Sequence, residues 1–87
     1  MHEASLIAGL MRRLDDVARG ENAKRVVGVS VWLGALSHMS EEHFAEHFDR
    51  AARGTIAEGA RLSATVSDDI AHPNAQDIVL ESVDVET

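Results

Sequence analysis

Residues 26–33 read Val-Val-Gly-Val-Ser-Val-Trp-Leu, and no other stretch constrains the fold as strongly. Val27, Val29, Val31 and Leu33 alternate along one face, opposite Val26, Gly28, Ser30 and Trp32. β-branched residues at a period of two define a strand with one apolar face, and that face has to be covered. The chain has 87 residues and three aromatic side chains, Trp32, Phe44 and Phe48, so the cover must be mainly aliphatic. That length suits one small domain, with a correspondingly modest core.

Two amphipathic segments supply the cover. From about Glu3 to Arg19, Leu6, Leu10, Leu14 and Val17 recur at helical spacing, with Ile7, Met11 and Ala18 widening the stripe. Gly20 is placed to close this helix in a left-handed turn. Ser40 is an N-cap candidate with Glu41 and Glu42 in the following turn. The second helix runs to about Arg53 on a stripe of Phe44, Phe48, Ala51 and Ala52, and Gly54 stops it. Gly34, after the first strand, offers backbone angles closed to other residues.

Two further strands follow. Arg61–Val66 alternates at Leu62, Ala64 and Val66. Ile78–Val85 is in conflict with itself: Ile78 and Leu80 share one phase, while Val79, Val83 and Val85 take the other. A bulge, or burial of both faces, resolves the conflict. The connection 67–77 is polar and contains His72-Pro73-Asn74, a turn former. A hairpin between the last two strands is the simplest arrangement. The expected fold is α/β (α+β): two helices on one face of a small mixed three-stranded sheet, in the order α-β-α-β-β, as a single domain over 1–87.

Composition removes several function classes. The chain has no cysteine, which excludes disulfides and thiolate metal sites. A net charge of −7 lacks the basic footprint that nucleic acid requires. No apolar run approaches the ~20 residues of a membrane-spanning helix. A basic n-region followed by an apolar stretch is also missing, so a cytoplasmic location is expected. There is no glycine-rich phosphate loop and no hydrolase triad spacing, and an enzymatic role is not expected.

What remains is metal chemistry. Met1-His2-Glu3 brings an α-amine, backbone amides and an imidazole together, and His2 is too large a second residue for methionine removal. A free amine titrates near pH ~8 and yields to a competing ion at modest cost. Such nitrogen donors suit square-planar Ni(II) or Cu(II). His38, in the turn before the second helix, is a possible supplementary ligand. His43-Phe44-Ala45-Glu46-His47 matches the H-x-x-E-H pattern of inverted zinc peptidases. Two helices provide neither the third ligand nor the cleft of such an enzyme, so His43 and His47 read as boundary residues of the Phe44/Phe48 stripe. Asp68, Asp69 and Asp77 read as a solvated acidic patch.

The ordered set of segments resembles the HypA/HybF nickel-incorporation metallochaperones. The resemblance rests on Met1-His2-Glu3 with Ser5-Leu6, on 23–29, on Leu33-Gly34-Ala35-Leu36-Ser37, on 44–49, on 53–62 and on the closing segment 80–86. It implies an α/β nickel domain that delivers Ni(II) to hydrogenase, or in some organisms urease. The implied partners are a HypB-type maturation GTPase and a nickel-enzyme large-subunit precursor. Met1, His2 and Glu3 would hold the ion.

Two departures stand out. In the family a zinc-binding module is inserted between the last two strands, where this chain has only 67–77, so a short form without structural zinc is expected. The family's acidic position before the second helix falls on Ser40, which leaves His38, Glu41 or Glu42 as substitutes. A metal-independent adaptor that keeps the fold and its maturation partners is the alternative, and the expected oligomeric state is a monomer or a homodimer, the latter open to strand swapping.

Overall fold

The structure is a computed structural model that describes residues 2–87, with side chains from Ala4 onward. The elements are α1 (His2–Gly20), β1 (Arg25–Leu33), α2 (Glu41–Ala52), β2 (Arg61–Val66) and β3 (Ile78–Glu86). Element order and class are those expected.

The buried face of α1 is Ile7, Leu10, Leu14 and Ala18, a three-four-four spacing that keeps one side of the helix turned inward. Val17 was expected in that stripe, but it lies at its edge and is 38% exposed, while Ala18 is buried. The helix does not end on a left-handed Gly20. Asn22 takes the positive φ of 53°. Ala23 N–H donates to the Ala18 carbonyl and Asn22 N–H to that of Arg19, so the last turn is closed by paired 6→1 and 5→2 bonds. Asparagine serves because its short polar side chain tolerates that conformation. α2 follows expectation: the Ser40 hydroxyl accepts from the His43 N–H at 3.1 Å, and Gly54 stops the helix at φ 77°.

The sheet order is β2-β1-β3. β1 pairs parallel with β2 and antiparallel with β3. The expected β2–β3 hairpin is therefore absent among the described residues. β1 has the most apolar inner face, and it takes the centre, where both its edges are paired. The connection 67–77 then has to pass over the end of β1.

Two bulges reconcile β1 with β3. Val26 pairs with Val85 and Gly28 with Asp84, so Val27 is an extra residue in β1. Val31 pairs with Leu80 and Ser30 with Ser82, so Glu81 is an extra residue in β3. Each insertion reverses the facing of everything beyond it. Val26, and not Val27 as expected, therefore joins Val29, Val31 and Leu33 in the core. In β3 the inward set becomes Ile78, Leu80, Val83 and Val85, which resolves the phase conflict through a bulge. Both helices contribute to this one core, whose central ring is Phe44, fully buried, with Phe48 at a centroid distance of 6.1 Å.

Gly34 lies at the crossing. Its N–H donates to the Asp77 carbonyl at 2.9 Å, and the Leu36 N–H donates to that of Ala75. A Cβ at Gly34 would lie 2.2 Å from the Ala75 carbonyl oxygen. The residue is thus required for close backbone approach, and not for unusual backbone angles: its φ is not among the positive ones. Gly9, within α1, has only a flexible Arg12 guanidinium near its would-be Cβ, at 3.8 Å.

These surroundings set opposite signs for one substitution. Gly34→Ala should destabilise the domain by about 1–3 kcal/mol through overpacking. Gly9→Ala should stabilise it by about 0.5–1 kcal/mol by restricting the unfolded chain. Urea unfolding midpoints of the two variants would check both. Ser40→Ala should cost about 1 kcal/mol through loss of the cap, read in the same experiment.

Candidate functional site

The turn between β1 and α2 is pinned at several points. The Ser37 hydroxyl, buried, donates to the Gly34 carbonyl at 2.8 Å, and the Ser37 N–H donates to the same oxygen. Met39 is buried in the core. Between these anchors His38 adopts a left-handed φ of 61°, and its side chain is exposed. A non-glycine residue in that conformation costs energy and persists only where its neighbours hold it.

A cleft of about 290 Å³ opens beside this turn. Its walls are Ser5 and Leu6 from the start of α1, Leu36, Ser37 and His38 from the turn, and Gln76 and Asp77 from the crossing segment. The structure therefore brings His38 and Asp77 to the N-terminal end of α1. Of the residues expected to hold metal, His38 lies on this rim. Met1 lies outside the described residues, as do the side chains of His2 and Glu3. Glu41 and Glu42, proposed as acidic substitutes for Ser40, are exposed in the first turn of α2 and do not line the cleft.

The acidic residue that lines the cleft is Asp77, which is exposed, as expected of a solvated acidic group. No sequence signal links it to His38, because their proximity depends on the passage of 67–77 over β1. Asp68 and Asp69 are exposed, and Asp69 is engaged locally, its carboxylate accepting from the Ala71 N–H at 3.0 Å. His72 is also committed: Nδ1 accepts from the Asn74 N–H at 2.9 Å, and its ring lies 4.6 Å from that of Trp32.

His43 and His47 stand together on α2, away from the cleft. Their Nε2 atoms are 2.9 Å apart, and the rings are stacked at 4.7 Å with an interplanar angle of 16°. His43 is exposed and His47 half-buried, one position before Phe44 and Phe48 respectively, as expected of boundary residues. Among the described residues, no group of three or more His, Cys, Asp or Glu converges to hold an ion. No helix of the described residues is long and apolar enough to cross a membrane.

Comparison with known proteins gives a consistent result. A family model described as hydrogenase/urease nickel incorporation, metallochaperone, HypA matches residues 1–72. A hydrogenase maturation factor HypA from Methylocella silvestris is 42% identical over 66 residues, which cover 76% of this chain and 58% of that protein. The factor of the same name from Dechloromonas aromatica is 40% identical over 62 residues, covering 71% and 55%. The chain thus spans just over half the length of these curated relatives. The solution structure of the Ni metallochaperone HypA from Helicobacter pylori shares the fold, with a TM-score of 0.77 at 19% identity, covering 99% of this chain and 98% of that one. With the family model matching most of its length and relatives near 40% identity, the chain belongs to the HypA family.

Proposed function

We propose that this chain is a nickel metallochaperone for the maturation of a hydrogenase or another nickel enzyme. It would take Ni(II) as cargo at its N-terminus. The observation that carries the reading is the cleft at the start of α1, with His38 and Asp77 on its walls, in a chain of this family. The Met1 amine, the amides of His2 and Glu3 and the His2 imidazole are the primary donors. The first N–H groups of any helix have no intrahelical acceptor, so an amide used as a ligand there sacrifices no helical bond. Deprotonated amides also bring negative charge to the ion, which fits the positive end of the helix dipole. His38 can add an imidazole and Asp77 a carboxylate, in place of an acidic residue at Ser40.

The chemistry is ligand exchange and not catalysis. The likeness in fold extends over nearly the whole chain, including β3, whereas the family-model match ends at residue 72, inside the 67–77 connection. That contrast supports a short form in which this connection replaces the zinc module, as one domain over 1–87 with no structural zinc. A HypB-type GTPase and a nickel-enzyme precursor are the partners this role requires, and a cytoplasmic location goes with it.

Calorimetric titration of the untagged chain with Ni(II) tests the reading. His2→Ala should abolish binding at the N-terminal site, and His38→Gln and Asp77→Asn should each weaken it by about tenfold. Unchanged affinity in His2→Ala would refute that site. Affinity should also rise as pH increases through about 8, because the amine and amide protons must leave before nitrogen can bind. A flat profile between pH ~6.5 and ~8.5 would contradict the donor set.

A further inference from the structure

We propose that His43 and His47 form a second metal site, a bidentate clamp on α2 that takes Ni(II) or Cu(II) independently of the N-terminus. Residues four apart on a helix share a face, and here the shared face already brings the two donor atoms together. The Nε2 atoms are 2.9 Å apart. Metal–imidazole bonds are about 2.0–2.1 Å long, so an ion bound to both nitrogens subtends an angle of ~90°. That is the cis angle of a square-planar or octahedral ion; a tetrahedral ion would hold the nitrogens ~3.4 Å apart. A cis pair of imidazoles suits a square-planar or octahedral ion, and the Irving–Williams order places Cu(II) above Zn(II) on such ligands.

The scaffold under the pair is rigid. Phe44 and Phe48, each the next residue in sequence, are buried in the core. The His43 N–H is fixed by the Ser40 cap at 3.1 Å. The helix that carries the two rings is thus anchored before any ion arrives, which lowers the ordering cost of binding. In the metal-free protein the short contact is an N–H···N hydrogen bond between one ring and the other. With an ion bound, both rings carry their proton on Nδ1 and direct Nε2 at the metal. Two protein ligands leave the remaining coordination positions to water or to an incoming donor, which suits a site that loads and releases. Neither histidine lines the cleft beside α1, so the clamp is spatially separate from it.

The test uses the untagged full chain carrying His2→Ala, titrated with Ni(II), Cu(II) and Zn(II). One equivalent of Ni(II) or Cu(II) should bind, Cu(II) more tightly than Zn(II). His43→Gln and His47→Gln should each weaken it by at least about tenfold, and the double variant by little more, since a chelate is lost with either arm. Cu(II) electron paramagnetic resonance should show imidazole nitrogen coupling that both variants lose, while circular dichroism confirms that α2 is intact. An absence of binding in His2→Ala, binding indifferent to His43 and His47, or tighter Zn(II) than Cu(II) binding would each overturn the clamp. The unsubstituted chain separates the two readings. Loss of one equivalent on His2→Ala alone reports the N-terminal site, and loss on His43→Gln alone reports this one.

Discussion

The backbone contact between Gly34 and Ala75 is the constraint on which the rest of this domain depends. It lets the 67–77 segment pass directly over the exit of β1, with the Gly34 and Leu36 amides bonded to its carbonyls. The passage delivers β3 to the free edge of β1 and leaves β2 on the other. The same contact fixes the turn that carries His38 and sets Asp77 beside the first turns of α1. Sheet order and cleft are thus two consequences of one close approach, which a single methyl group at residue 34 would obstruct.

The pairing of β1 with β3 shows how register and burial are reconciled. The chain cannot bury Ile78 and Leu80 together with Val83 and Val85 on a regular strand, because side chains alternate. An extra residue at Glu81 moves the second pair inward, and an extra residue at Val27 does the same for Val26. Glu81 itself stays exposed, within 3.5 Å of the Ser30 hydroxyl on the uncovered face. The helices pack only on the inner face. The outer face carries the exposed Arg61–Asp84 pair, 3.9 Å apart, and contributes to solvation more than to stability.

The two metal sites proposed for this domain would lie on two kinds of surface. The cleft is assembled from three segments remote in sequence, one of them the turn in which His38 takes a left-handed φ. The histidine pair is local, four residues apart on one helix, and owes its geometry to that spacing. A site of the first kind changes when the fold shifts. A site of the second kind survives as long as the helix does.

The amino-acid sequence by itself determined the elements. Periodicity of 3.6 in 3–19 and 41–52 and of two in the strands follows from local geometry, and local geometry depends on near neighbours. The Ser40 cap, the Gly54 stop, the phase conflict in β3 and the placing of His43 and His47 beside the Phe44/Phe48 stripe were all legible for that reason. The helix ends were less so: Gly20 and Val17 were misplaced because the Asn22 turn and the Ala18 contact depend on what packs nearby. Only the tertiary structure decided that β1 is central, that no hairpin joins β2 to β3, that Val26 and not Val27 faces the core, and that Asp77 belongs with His38. Each of those depends on segments far apart in the chain meeting at van der Waals distance, and a one-dimensional pattern carries no record of that distance.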